Sequence, residues 1–132
     1  MIAAARAMWH GAPMRRIAAL LTGLLMAMPC LADAPSIIAA EARPGRMGWT
    51  IRVTLRHHDS GWDHFASGWS ISLPDGETIA TDDIPGPHVG QMEFAVVMKG
   101  VDVPAGTAYV LVRARCNLVG WSAEATRVDL RP

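Results

Sequence analysis

Between Thr50 and His57 the chain alternates between polar and apolar side chains, and this alternation constrains the fold more than any other feature of the sequence. Ile51, Val53 and Leu55 occupy the odd positions, and threonine or arginine occupies the even ones. A period of two places the apolar side chains on one face of a β-strand and the polar side chains on the other. The segment therefore predicts a half-buried strand, in which His57 at the next odd position also faces inward.

Six further segments have β-branched or alternating patterns, and glycine, proline or aspartate separates them. Together these segments give seven predicted strands: Ser36–Glu41, Thr50–His57, Trp69–Leu73, Glu77–Asp82, Met92–Met98, Thr107–Arg115 and Ala123–Arg131. No segment sustains a helical period. Seven short strands in about 98 residues are typical of an antiparallel immunoglobulin-like or fibronectin-III-like sandwich, an all-β fold. Trp69 is then predicted to be the core tryptophan of the third strand.

The segment from Met14 to Ala34 has the three parts of a secretory signal peptide. Arg15 and Arg16 give a basic start, an uncharged run rich in alanine, leucine and methionine follows, and small residues end it. The apolar run is about half of the ~20 residues that a membrane-spanning helix needs. We therefore predict removal of residues 1–34 and a single exported domain over residues 35–132, periplasmic or secreted and without an integral membrane segment.

Two details of this signal leave alternatives open. Thirteen residues precede Met14, so either Met14 is the true initiator or the extension is removed with the rest of the signal. Cleavage after Ala34 fits the small-x-small pattern but places a proline directly after the cut. Cleavage after Ala32 is the alternative.

The predicted mature domain has one cysteine, Cys116, because Cys30 lies in the signal. No internal disulfide can form, so the fold depends on its hydrophobic core. From residue 35 onward there are nine Lys and Arg against eleven Asp and Glu, a net charge of about −2, and the basic residues are spread along the chain. This distribution argues against a nucleic-acid partner and leaves an unknown protein or a small ligand.

Antiparallel strands bring alternate loops to the same end of a sandwich. The loops at one end are short and chemically plain, whereas the other end receives loops 58–68, 83–91 and 116–122. Every histidine of the predicted domain lies in or beside these three loops, as do Trp62, Trp121 and Cys116. We call this end the histidine pole and expect any binding site there, because loops carry function while sheets carry stability.

The histidine pole has two interpretations. Imidazole, carboxylate and thiolate groups together are typical of copper or zinc sites, and Met92 would add a soft ligand. The candidate metal ligands are His57, His58, His64, His88 and Cys116. No pair of them has the spacing of a known metal motif. In the other interpretation no cofactor binds: His57 points inward and forms hydrogen bonds beneath the loop, His64 pins the loop backbone, and Trp62 and Phe65 plug the open end of the sandwich.

The residues at the pole that we predict to bind a ligand are Trp62, Asp63, His64 and Trp121, since exposed tryptophans form platforms for sugars or peptides. Catalysis by a nucleophilic Cys116 with a histidine and an aspartate would need distances that no spacing in the chain fixes. We therefore predict that the protein is not an enzyme. The residues favour an exported binding or structural module, with a metal-binding module as the alternative.

Three short motifs at or near the pole are Trp62–Ala66 (WDHFA), Pro87–Val89 (PHV) and Val112–Arg115 (VRAR). They resemble a family of small exported bacterial proteins with a WDHYAD-type loop, an HPH-type loop and a segment like RARDSVHGYGG. The resemblance spans roughly residues 51–130 and implies a fold with this loop cluster, but no particular activity. The chain departs from the family pattern at four positions: Gly86, Ser67, Cys116 and Val119. These departures indicate a degenerate member. The alternative is that Cys116 and Met92 recast the site toward a softer metal.

Overall fold

The computed structural model describes residues 33–131, which form an all-β sandwich of two antiparallel sheets with no helix among them. The first sheet contains β1 (Ser36–Gly45), β2 (Gly48–Arg56) and β5 (Glu93–Val101). The second contains β3 (Ala66–Ser72), β4 (Thr78–Asp83), β6 (Tyr109–Cys116), β7 (Gly120–Trp121) and β8 (Thr126–Asp129). The predicted all-β class and the antiparallel pairing are confirmed.

The strand order is β1-β2-β5 in the first sheet and β4-β3-β6-β7 in the second, where β8 also pairs with β6. Residues 33–131 form eight strands rather than the predicted seven, because two strands, β7 and β8, share the edge of β6 that faces away from β3. The end of β6 at Cys116 pairs with the two-residue β7, and the first half of β6 pairs with β8. The turn between β1 and β2 requires glycine at Gly48, where φ is 106° and a Cβ would lie 2.6 Å from the carbonyl oxygen of Val101.

The core lies between the two sheets and is built from alternate residues of their central strands. Ile51, Val53 and Leu55 of β2 have no exposed surface, which confirms the predicted register of this strand. Trp69 of β3 is 1% exposed, so its predicted place in the core is also confirmed. Each such side chain contributes about 1.5–3 kcal/mol when it is removed from water. The domain therefore has a well-defined inner face against which the loops at each end are positioned.

β3 differs from the other strands because all seven of its residues are buried. Trp69 and Ile71 belong to the core, while Ser70 and Ser72 alternate with them and face the opposite side of the sheet. These two serines are only 6% and 8% exposed. The outer side of the second sheet is therefore recessed along β3.

The signal-peptide prediction falls almost wholly outside the described residues, since only Asp33 and Ala34 of the segment 14–34 belong to them. Within residues 33–131, Pro35 is buried and β1 begins directly after it. The described part of the chain contains no helix of the length and hydrophobicity needed to cross a bilayer.

Candidate functional site

Hydrogen bonds from Asn117 join two loops of the histidine pole. Its side-chain oxygen accepts from the Phe65 N–H at 2.9 Å, and its backbone N–H donates to the Phe65 carbonyl at 3.2 Å. Its side-chain amide donates to the carbonyl oxygens of Trp62 at 3.0 Å and Asp63 at 3.3 Å. One exposed residue therefore fixes the path of the loop that contains His64.

His57 and Cys116 are brought together from opposite sheets. His57 continues the inward-facing series of β2, and Cys116 is the last inward-facing residue of β6. Both are buried, with 5% and 1% of their surfaces exposed. His64 joins them from the loop just before β3, and one ligand atom from each of the three side chains lies within 4.8 Å of the others. We call His57, His64 and Cys116 the donor triad.

Asp59 supports the triad from beneath the loop. Its Oδ1 accepts hydrogen bonds from His57 Nδ1 at 2.5 Å and from the Ala66 N–H at 3.0 Å, and its Oδ2 accepts from the His88 N–H at 2.7 Å. Burial by itself raises the pKa of Asp59, but the hydrogen bonds from His88, His57 and Ala66 outweigh it. The pKa therefore lies below its usual value of 3.8. Asp59 is an ionised, fixed acceptor that orients the ring of His57.

The second ring nitrogen of His57 also has a partner, because Nε2 lies 2.9 Å from the carbonyl oxygen of Asp33. Carboxylate and carbonyl oxygens are both acceptors, so the ring donates to both only when it is doubly protonated. A metal ion at Nε2 would replace the proton and the carbonyl there, while Nδ1–H keeps its bond to Asp59. Metal-ligating histidines commonly donate their other nitrogen to a carboxylate in this way.

His64 has a ring nitrogen without a partner. Its Nε2 is buried and makes no hydrogen bond within residues 33–131. The ring packs edge-on against His57, with centroids 4.8 Å apart and an interplanar angle of 84°. Leaving a buried polar atom unpaired costs about 1–3 kcal/mol. The sulfur of Cys116 accepts the Leu118 N–H at 3.4 Å, so it is partly satisfied already.

The other two predicted metal ligands do not join the triad. His58 is exposed, and its Nδ1 lies 3.3 Å from the sulfur of Met92. His88 stacks on Phe94 with centroids 3.8 Å apart and an angle of 4°, and it reaches Asp59 only through its backbone. The structure thus brings together three of the five candidate ligands and leaves Met92 beside His58.

The plug interpretation is wrong for Trp62, which is 70% exposed and meets Phe65 edge-on at 5.6 Å. The buried positions beneath this loop are occupied by Asp59 and by His57, whose hydrogen bond to Asp59 agrees with that interpretation. The side chain of His64 does not pin the loop either. Its backbone does so, since the Ser60 N–H donates to the His64 carbonyl oxygen at 3.0 Å.

The predicted ligand-binding residues have different environments. Asp63 is exposed beside Trp62, and His64 belongs to the donor triad. Trp121 is 39% exposed and lines a groove on the outer face of the second sheet, to which none of the other three contributes. The structure therefore does not assemble these four residues around one cavity.

Sequence reasoning did not identify Asp59 or Asn117 as important. Asp59 carried a signal, because it continues the odd-numbered series that runs inward through Leu55 and His57. Asn117 carried no periodic signal, and only the contact between two distant loops reveals its role.

No family model, no curated protein and no solved structure matches this chain.

Proposed function

We propose that this domain binds one copper or zinc ion through His57, His64 and Cys116. The proposal rests on two observations: three donor atoms lie within 4.8 Å of one another, and the buried Nε2 of His64 has no partner among the described residues. Two imidazoles and one thiolate suit both metals. The carboxylate of Asp59 supplies the supporting hydrogen bond that orients a metal-ligating histidine.

Metal binding requires a small contraction of the triad. Ligand atoms around a tetrahedral ion are separated by about 3.3–3.8 Å, so the triad must draw in by about 1 Å. His64 is the ligand best placed to move, because it lies on a loop and its side chain makes no hydrogen bond at Nε2. His57 is held by Asp59, and Cys116 ends β6. Three protein ligands leave one coordination position for water or a small ligand.

The test measures metal binding by native mass spectrometry and by the absorption of the Co²⁺-substituted protein. Co²⁺ reports a thiolate ligand through a charge-transfer band, while added Cu²⁺ and Zn²⁺ give the stoichiometry. His64→Ala and Cys116→Ser each remove one proposed ligand. His58→Ala is the matched control, because His58 lies in the same loop but is exposed and outside the triad.

We expect one metal ion per chain in the wild type and in His58→Ala. Loss of one ligand should weaken binding by at least about tenfold, with the thiolate band absent in Cys116→Ser. Circular dichroism establishes that each variant is folded. If the folded His64→Ala and Cys116→Ser variants bind metal as well as the wild type, or if the wild type binds none, the proposal is wrong.

A structural role for the same residues is the second candidate. It is favoured by the hydrogen bond between His57 Nδ1 and Asp59, which holds the ring without a metal ion. The second partner, the carbonyl oxygen of Asp33, belongs to the exported protein only when cleavage occurs after Ala32. In that case the hydrogen bonds around His57 and Asp59 fix the loops of the histidine pole, and the domain acts as a binding or structural module. A wild-type protein without metal affinity whose stability falls on removal of Asp59 would favour this role.

We also propose that the sandwich belongs to the immunoglobulin-like or fibronectin-III-like class, in an exported, periplasmic or secreted protein of the small bacterial family described above. Support for the class comes from the strand order, in which the chain crosses between sheets from β2 to β3, from β4 to β5 and from β5 to β6. Support for export comes from the residues of the signal segment alone. An experimental structure tests the class.

A further inference from the structure

A groove of about 410 Å³ lies on the outer face of the second sheet, away from the core. Its floor follows two rows of paired residues across β4, β3 and β6: Thr81, Ser70 and Arg113 in one row, and Thr78, Ser72 and Leu111 in the other. Trp121, Ala123 and Ala125 also line it. A volume of this size falls within the range of about 300–1,000 Å³ that is usual for small-molecule sites.

The floor of the groove is polar and recessed. Ser70 is only 6% exposed, and it lines the groove. The neighbouring Ser72 hydroxyl lies 3.2 Å from the hydroxyl of Thr78. A serine hydroxyl can donate one hydrogen bond and accept two, so Ser70 offers polar contacts to whatever occupies the groove.

Arg113 adds a positive charge that no carboxylate of the described part of the chain balances. Two other arginines on this face are paired, Arg115 with Asp83 at 2.5 Å and Arg127 with Asp129 at 2.9 Å. Arg113 makes no salt bridge within the described residues, and its Nε and Nη2 donate only to the Ser122 carbonyl, at 2.9 and 2.5 Å. A guanidinium has five N–H donors, so three remain for an acidic ligand.

Trp121 is held in place at the edge of the groove. The guanidinium carbon of Arg115 lies 5.4 Å from the centre of its ring. Arg115 is fixed in turn across Gly68, where a Cβ would lie 2.6 Å from Nη2. A half-exposed indole in a fixed orientation offers an apolar face for stacking.

We propose that this groove binds an acidic sugar of the hexuronate class. The carboxylate pairs with Arg113, the sugar hydroxyls bond to Ser70 and Thr81, and the C–H face of the ring stacks on Trp121. Each element of the groove thus has a counterpart in one ligand: a carboxylate for the unbalanced guanidinium, hydroxyls for the polar floor and an apolar ring face for the indole. This site shares no residue with the donor triad.

The test is isothermal titration calorimetry of the full domain with D-glucuronate, methyl glucoside and acetate. Methyl glucoside keeps the ring and lacks the carboxylate, while acetate keeps the carboxylate and lacks the ring. Arg113→Gln removes the unbalanced charge, and Ser70→Ala removes the recessed hydroxyl. Arg127→Gln is the matched control, because Arg127 lies on the same sheet but is paired with Asp129 and does not line the groove.

We expect saturable binding of glucuronate, with methyl glucoside and acetate each at least about tenfold weaker. Arg113→Gln should weaken glucuronate binding by at least about tenfold, Ser70→Ala by about fivefold, and Arg127→Gln should match the wild type. Thermal melts establish that each variant is folded. Absence of saturable glucuronate binding, or equal affinity for acetate, would overturn the proposal. So would unchanged binding in both Arg113→Gln and Ser70→Ala.

Discussion

Replacing Asp59 by asparagine tests whether the carboxylate beneath the histidine pole stabilises the domain. The substitution preserves shape, but it removes the negative charge and replaces one acceptor oxygen with an amide donor. Asp59 is 3% exposed and accepts three hydrogen bonds, from His57, Ala66 and His88. Asparagine can accept on one side only. If its oxygen stays with His57 and Ala66, its NH₂ group meets the His88 N–H, and two donors face each other without an acceptor.

The magnitude follows from these contacts. Losing the hydrogen bond from the His88 N–H to a charged acceptor lowers the free energy of unfolding by about 1.5–3 kcal/mol. The hydrogen bonds from His57 and Ala66 would also pass from a charged to a neutral acceptor, which lowers the free energy of unfolding by about 1 kcal/mol each. Because the two effects share atoms, we expect a total loss of about 3–5 kcal/mol from a domain whose stability is about 5–15 kcal/mol.

The assay is urea denaturation of the metal-free protein at neutral pH, followed by tryptophan fluorescence. A slope of about 1–2 kcal/mol per molar urea places the expected decrease in midpoint near 2 M or more. Asp63→Asn is the control, because Asp63 lies in the same loop and is exposed. A midpoint for Asp59→Asn within about 0.3 M of the wild type would refute the reasoning, since it would mean that the three hydrogen bonds contribute almost nothing.

Three further predictions concern the acid limb, the core and the N-terminus. The difference in free energy of unfolding between wild type and Asp59→Asn should be constant well above pH 3.8 and shrink as the pH falls below 3.8, because the pKa of Asp59 is lowered in the folded protein. Urea titrations at several pH values measure this difference. A difference that grows toward low pH would contradict the predicted direction. Val53→Asp should unfold the domain, because it buries an unpaired carboxylate at a cost of at least several kcal/mol, whereas Thr54→Asp on the opposite face of β2 should stay folded. Far-UV circular dichroism distinguishes folded from unfolded variants. A folded Val53→Asp would disprove the predicted register of β2. Mass spectrometry of the exported product should show an N-terminus between Leu31 and Ser36, and retention of the run 17–28 would disprove the signal peptide.

The local pattern predicted those features that depend on periodicity alone. Alternation in the second strand gives the inward face that includes Val53 and His57, and both are buried. Trp69 lies in the core as its position in an alternating strand predicts. Antiparallel pairing of successive strands also places the three loops of the histidine pole at one end of the sandwich. These features follow from the pleat of a strand, which requires no knowledge of distant contacts.

The sequence by itself determined the fold class, the inner faces of the strands and the identity of the chemically rich loops. Only the tertiary structure decided which side chains meet. His57 and Cys116 belong to different sheets, so their approach depends on how the sheets pack, and His64 is positioned by a loop that Asp59 and Asn117 hold. Likewise, Arg113 forms no ion pair within residues 33–131, because the register of β6 with its neighbours places Asp83 beside Arg115. Periodicity acts within a single strand, whereas a binding site depends on distances between strands and loops that are far apart in the chain.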